Sequence, residues 1–381
     1  ARLARIDQHL LENYVEPQKI AGCQVVVARH GHVAHFSTLG LMDIERARPM
    51  ADDAIFRIYS MTKPIAGVAL MKLHEQGLFQ LDDPLATYLP EFADVRVYAG
   101  EDASGEPVLE SPARPITVRD ITRHTAGFAT GSGTPGVGEL YAAADPTNRE
   151  NTLAQMTEKL ASVPLWSHPG ERWAYGPAVD VQARLVERLS GVSFDRYVQE
   201  TILEPLGMRD THFFVPIPKT DRLVAVYASD MSNRSSRAPD GALGQGHFVS
   251  GPRRNFSGGA GLVSTARDYA RLLQMLLNGG ALDGVRILSP ASVQLMATNQ
   301  AGTLYPQPGQ GFGLGFSIVE RLGADNSLMS EGSYGWGGAY GSQYRIDPAE
   351  RVIVVFMLNQ IPNRSDVAAK FPTLVYQALV R

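Results

Sequence analysis

The chain has one cysteine, six lysines and no run of 18 apolar residues in its 381 positions. A single cysteine, Cys23, cannot close an intrachain disulfide. It lies in the apolar run Cys23-Gln-Val-Val-Val-Ala28 with no His or Lys nearby in sequence to activate it, so a buried structural thiol is expected. The lack of a long apolar run argues against a transmembrane helix. The start, Ala1-Arg-Leu-Ala-Arg-Ile-Asp7, reads as a polar helix start and lacks the apolar stretch of a signal peptide. A signal could have been removed before position 1, so the compartment stays open, with the cytoplasm slightly favoured over the periplasm. Neither charge is in excess, with 35 basic against 39 acidic residues, and no nucleic-acid or membrane partner is expected. Oligomeric state is not legible. No Gly-x-Ser-x-Gly elbow occurs, which argues against an α/β-hydrolase with a Ser-His-Asp triad. Histidines such as His124, His168 and His247 stand singly, without His-x-x-x-His or Cys/His ligand spacing, so no metal and no cofactor is expected. His124 reads as a hydrogen-bonding structural residue.

What is present is a pattern of helix and strands, a long helical middle, then strands and a helix again. The first 20 residues have helical spacing. Gly22 to Ala28 and Val33 to Thr38 are β-rich runs around Arg29-His30-Gly31, a hairpin signal. Ser60 to Gly77 reads as a helix with Ile65, Val68, Ala69 and Leu73 on one broad face, Pro64 being tolerable in its first turn. Thr117-Val-Arg-Asp120 and Thr265-Ala-Arg-Asp268 resemble capping boxes with Asp in place of Glu or Gln, and Ser193 reads as the cap of a helix reaching Leu203. Ala99 to Pro115 and Ala129 to Gly138 read as surface loops that shape a binding pocket. Gln343 to Ile346 and Val352 to Leu358 flank a turn at Asp347-Pro348, and a last helix is expected from Ser365 to Val380. The simplest packing is an α+β fold that joins the terminal strands in one antiparallel sheet, with the terminal helices on one face.

Ser60-Met-Thr-Lys63 opens the best-defined helix. At i and i+3 the hydroxyl and the ammonium lie on one helix face and can touch. A serine hydroxyl is a poor nucleophile until a base takes its proton. Lysine can be that base only if its pKa is pulled well below about 10.4 by burial or a neighbouring positive charge. A helix N-terminus adds amide donors suited to an oxyanion. Ser-x-x-Lys fixes only two positions and is weak by itself, yet no other lysine of this chain has a serine three residues before it.

Several longer stretches add context. Phe56-Arg-Ile-Tyr-Ser60-Met-Thr-Lys63-Pro-Ile and Gly77-Leu-Phe-Gln-Leu-Asp82-Asp83-Pro84 resemble the active-site helix and following segment of class C β-lactamases and their relatives. Ile116-Thr-Val-Arg-Asp120-Ile-Thr-Arg-His124-Thr-Ala-Gly127, Pro169-Gly-Glu-Arg-Trp-Ala-Tyr175 and Ser257-Gly-Gly-Ala-Gly261-Leu-Val-Ser-Thr265 resemble later segments of the same superfamily, in order along the chain. The resemblance implies a β-lactamase-like, serine penicillin-recognising fold. It would place a sheet unit at 1–80 and 255–381, a mostly helical unit at 81–254, and the active site in the cleft between. It also implies Ser60 as nucleophile, Lys63 as its activating partner, and Tyr175 as second base and leaving-group acid.

Two departures bear on substrate. Where the lactamases read Tyr-x-Asn, this chain reads Tyr175-Gly176-Pro177; where they read Lys-Thr-Gly, it reads Trp336-Gly337-Gly338. Tryptophan replaces a cation for the antibiotic's carboxylate with a flat apolar wall. Trp-Gly-Gly here is similar to the family VIII carboxylesterases, which implies small carboxylic esters as substrates, Trp336, Gly337 and Gly338 as binding residues, and the backbone amides of Ser60 and Ala339 as oxyanion donors. A β-lactamase or D-amino-acid peptidase on the same fold is the close rival. A catalytically silent binding protein is the rival of another class.

Overall fold

Strand alternation explains the centre of the molecule. The computed structural model describes residues 2–241, 245–324 and 326–380. Ala1 and Arg381, the outer ends of the expected sheet unit, lie outside the described residues, as do residues 242–244 and 325. The main sheet has eight strands: β1 (Gly22–Arg29), β2 (His32–Asp43), β3 (Arg48–Pro49), β4 (Gln310–Phe312), β5 (Ser317–Val319), β6 (Tyr334–Gly337), β7 (Gly341–Asp347) and β8 (Val352–Asn359). They run antiparallel in the order β4-β5-β6-β7-β8-β1-β2-β3, so the two ends of the chain meet where β1 pairs with β8, from Gln24 opposite Met357 to Arg29 opposite Val352. The β1–β2 turn, His30-Gly31, has positive φ at both residues (53° and 81°), the geometry that matches strand twist in a two-residue hairpin.

Helices α1 (Ala4–Leu10), α2 (Lys63–Glu75), α3 (Ala178–Ser190), α4 (Ala266–Leu277) and α5 (Val367–Tyr376) pack around this sheet and against one another. Period-two alternation divides β1 and β8 between two cores. Cys23, Val25 and Val27, with Val352, Val354 and Phe356, face Ile6 and Leu10 of α1 and Val367 and Phe371 of α5. Val26, Ala28, Ile353, Val355 and Met357 join the larger core with Ile65 and Val68 of α2 and Leu272 and Leu276 of α4. Each such aliphatic side chain, once buried, contributes about 1.5–3 kcal/mol. Cys23 is fully buried, and burial pushes its thiol up, as expected of a structural cysteine.

Several local expectations need correction. The segment at Ser60 begins as a 3-10 turn over Tyr59–Thr62, and the α-helix proper starts at Lys63. Thr117 and Asp120 form a reciprocal capping box, whereas at Thr265 only half of one forms, because the Asp268 carboxylate accepts from the Asp210 amide and the Thr211 hydroxyl. Ser193 makes no side-chain cap; the Phe194 amide donates to Glu187 instead, 3.2 Å away. The expected loop 99–115 contains most of a hairpin, Val97–Glu101 paired with Pro107–Glu110. The last helix is shorter than expected and carries Pro372 inside it. Proline cannot donate to the carbonyl of Ala368, and Gln343 on β7 fills that role from the side at 2.8 Å. Among the described residues no helix is long and apolar enough to cross a membrane.

Candidate active site

The chain entering Ser60 is held from several directions. Phe56–Arg57 pairs antiparallel with Val263–Ser264, and the Asn359 side-chain amide, just at the end of β8, both accepts from the Arg57 amide and donates to its carbonyl at 3.1 Å. Beyond the serine, the Tyr269 hydroxyl donates to the Met61 carbonyl at 2.8 Å, and Thr62 Oγ1 accepts from the Leu262 amide at 3.1 Å. Sheet, α4 and the glycine-rich passage 257–261 thus fix one short turn between them.

The three residues singled out by sequence meet at that turn. Lys63 Nζ donates to Ser60 Oγ at 3.2 Å and to the Gly259 carbonyl at 2.7 Å. The Tyr175 hydroxyl lies 2.7 Å from Ser60 Oγ, and Lys63 Nζ sits 4.7 Å from the centre of the Tyr175 ring. Trp336, half-buried at the end of β6, donates its indole N–H to the same phenol oxygen at 3.2 Å. Lys63 is buried, and no carboxylate among the described residues pairs with it. Its amine is met by the Gly259 carbonyl, the Ser60 hydroxyl and the Tyr175 ring rather than by an anion.

Sequence reasoning places Gly258-Gly259-Ala-Gly261 only within a family-like segment; in the structure it is a tightly packed passage. A side-chain carbon at Gly258 would come within 2.6 Å of the Val179 carbonyl, and one at Gly261 within 2.5 Å of the Ser257 carbonyl. What it missed is that this passage supplies the carbonyl that receives Lys63, and that Asp180 holds the passage. One Asp180 oxygen accepts from the Gly259 amide at 3.1 Å and from the Ser257 hydroxyl. Asp180 lies in the first turn of α3, five residues after Tyr175, so the helix carrying it follows directly from the segment bearing the phenol. Acceptor carbonyls leave no mark in a sequence, whereas the carboxylate at this spacing was legible in principle.

Trp336-Gly337-Gly338 runs from the end of β6 into a turn closed by Gly338 N–H to Ser342 O at 2.7 Å. Gly338 has no room for a side chain: a Cβ would lie 2.5 Å from the carbonyl of Ile58. The turn bearing Ala339 is therefore pressed against the segment that leads into Ser60. A cavity of about 600 Å³ opens on Lys63 and Tyr175, walled by Thr130, Ser132, Tyr141, Pro177 and Gly259. The 129–138 segment lines it as expected; the 99–115 segment does not, and Tyr98, just before it, stands where a side chain at Gly136 would be.

His124 overturns its expectation. Neither ring nitrogen has a hydrogen-bond partner among the described residues, and only its carbonyl is engaged, by the Ala174 amide at 2.8 Å. The ring packs among Tyr175, Phe312 and Trp173, with centroids 5.1, 5.5 and 5.7 Å away. Burial, with the Lys63 charge adding to it, pushes the imidazole down to about 3, so it is neutral at ordinary pH. Asp120, four residues earlier, is the opposite case. Burial works to raise its carboxyl, yet bidentate Arg114, the Thr117 amide and the Thr125 hydroxyl hold it below the usual carboxylate range.

An antiparallel sheet backed by terminal helices, with serine and lysine at the head of an internal helix and a tyrosine facing both, defines the β-lactamase-like serine hydrolases. The chain belongs to the beta-lactamase family, whose sequence model matches residues 8–377. It is 33% identical over 370 residues to an uncharacterized protein of Mycobacterium tuberculosis, covering 92% of this chain and 88% of that one. It is 31% identical over 376 residues to Esterase EstB of Burkholderia gladioli, covering 93% and 90% respectively. Among solved structures it is similar to EstCE1, described as a hydrolase with promiscuous acyltransferase activity, with a TM-score of 0.83, 28% identity, and coverage of 99% of this chain and 98% of that one. The resemblance to the family VIII branch of the superfamily holds.

Proposed function

We propose that this protein is a carboxylesterase that cleaves small carboxylic esters through an acyl-enzyme on Ser60. The observation that carries the reading is the pair of contacts at one hydroxyl: Ser60 Oγ lies within hydrogen-bonding distance of both Lys63 Nζ and the Tyr175 oxygen. Lys63 and Tyr175 together take the proton as Oγ attacks the ester carbonyl. The amides of Ser60 and Ala339 receive the oxyanion, each donor contributing about 3 kcal/mol to the transition state. Tyr175 returns the proton to the departing alkoxide, leaving the acyl group on Oγ. Water then enters by the same proton relay in reverse, releasing the acid and restoring the serine. The sheet unit 1–80 and 255–381 contributes Ser60, Lys63 and Trp336, the helical unit 81–254 contributes Tyr175, and the cleft between them holds the substrate. The esterase name carried by a 31% identical relative supports the choice of ester.

Trp336, Gly337 and Gly338 form the substrate wall in this reading, and the missing Asn and Lys make an anionic lactam a poorer fit. Ser60→Ala is expected to abolish hydrolysis of a chromogenic short-chain ester, and turnover at the parent rate in that variant overturns the assignment. Parallel assays with a chromogenic cephalosporin separate the rival: a cephalosporin kcat/KM far above the ester's makes the protein a β-lactamase. The silent-protein rival predicts no adduct on Ser60 after treatment with a serine-directed phosphonate.

A further inference from the structure

The residue before the nucleophile and the residue after the second oxyanion amide touch each other. Tyr59 donates its hydroxyl to that of Tyr340 at 2.7 Å, and the two ring centroids are 4.1 Å apart. The Tyr340 hydroxyl in turn donates to the side-chain carbonyl of Gln245, whose main-chain carbonyl accepts from Arg57 Nε at 2.8 Å. Tyr59 also meets Phe248 edge-on at 5.9 Å. Tyr59 has φ of 44°, a left-handed backbone conformation that a bulky residue adopts only when its surroundings hold it there. Tyr340 is buried, and its carbonyl accepts from the Gln360 amide at 3.0 Å, which ties its own backbone to the end of β8.

We infer that the Tyr59–Tyr340 pair, anchored by Gln245, is a positioning device that sets the spacing and direction of the Ser60 and Ala339 amides. The inference rests on the oxyanion roles proposed above. The backbone of Tyr59 fixes how the Ser60 amide points, since the two share a peptide unit. Tyr340 anchors the turn that presents Ala339. A hydrogen bond between the two side chains joins these separate segments, 281 positions apart in sequence, at the place where a small error in donor placement lowers the rate most. Gly338 brings the backbones together by lacking a side chain, and the tyrosines keep them from sliding. Neither tyrosine takes part in the proton relay. They are positioning residues.

The test uses Tyr59→Phe, Tyr340→Phe and their double variant on the full chain, with Ser60→Ala as reference. Each is assayed on an oxygen ester and on the matching thionoester, in which sulfur replaces the carbonyl oxygen. Sulfur is larger and a weaker hydrogen-bond acceptor, so the thionoester transition state draws less from the amide donors. For the oxygen ester kcat is expected to fall about tenfold with KM changed less than about twofold, and the oxygen-to-thiono ratio of kcat/KM to fall about fivefold. The double variant should lose little more than Tyr340→Phe alone, because that change already removes both the link to Tyr59 and the anchor on Gln245. The substrate ratio does not depend on how much protein is folded, so a general loss of structure cannot mimic the result. An unchanged ratio in all three variants, with Ser60→Ala inactive, overturns this inference alone. Turnover surviving in Ser60→Ala overturns it together with the reading it rests on.

Discussion

On one side of Tyr175 stand Ser60 and Lys63, with the Gly259 carbonyl completing a chain of hydrogen bonds of 2.7–3.2 Å. On the other stand His124, Trp336 and Trp173, with ring centroids 5.1, 5.4 and 6.1 Å from the tyrosine ring. The first bank consists of directional contacts, two of them to Ser60 Oγ and one to the Gly259 carbonyl oxygen. The second is a packed bank of rings, extended by Phe312 and Tyr305, whose one hydrogen bond to the site among the described residues is the Trp336 indole. Under the proposed function, directional contacts change as a proton moves, so that bank would set the rate. Ring faces meet the ground state and the transition state almost alike, so the part of that bank that reaches substrate, Trp336, would bear on which esters are accepted. This division is the physical content of the substrate argument, and it can be broken.

The largest effect belongs to the polar bank. Lys63→Met keeps the length and burial of the side chain while removing its amine and the hydrogen bonds to Ser60 and Gly259. It should lower kcat/KM by about 10³-fold across every ester tried, since a base in proton transfer contributes on that scale. A loss that varies strongly with the acyl group would assign lysine to recognition and erase the distinction between the banks.

Trp336→Ala tests the other bank. Removing an aromatic contact of about 0.5–1.5 kcal/mol predicts that kcat/KM for an aryl or bulky acyl ester falls about fivefold more than for an acetyl ester. Trp336 also touches the phenol oxygen, so a uniform decrease accompanies the selective one. Competition between two esters in one tube reads the selective part directly. An equal loss on both esters would make Trp336 a holder of Tyr175 and nothing more.

The two banks were not equally legible. Ser60 and Lys63 could be read because an i, i+3 pair at a helix head is a local feature, and Trp336 because it replaces a charge with a ring at a recognisable place. The antiparallel joining of the terminal strands could be read from two short, nearly continuous β-rich apolar runs, since β1 and β8 are buried on both faces. Three kinds of feature escaped. The hairpin at 97–110 was taken for a loop because its second strand, starting at Pro107, is fully exposed and offers no alternation to read. The Gly259 carbonyl and the Asp180 hold on it depend on contacts across 79 to 196 sequence positions. His124 was given hydrogen bonds because a buried polar group usually has them, and the ring packing around it was settled by residues far along the chain.

That exception yields the smallest and most specific prediction. A buried histidine that stays neutral when folded, yet takes a proton near 6.5 when unfolded, leaves the unfolded chain binding more protons below that pH. Its contribution to stability is therefore intact above about pH 6.5 and is lost as the pH falls toward its folded value of about 3. The loss runs at up to about 1.4 kcal/mol for each pH unit. His212 and His247, each pushed down to about 4 chiefly by burial, act in the same direction, so the acid slope is shared among three residues. His124→Asn should leave the urea midpoint at pH 5 closer to that at pH 7 than in the parent protein, while a slope remains from the other two. Asp120, with its arginine partners, should be untouched by the change over this range, because its carboxyl stays ionised there. Parallel slopes in the variant and the parent would mean that His124 is protonated in the folded state. The aromatic bank would then carry a positive charge beside Lys63, and the contrast drawn between the two sides of Tyr175 would fail at its centre.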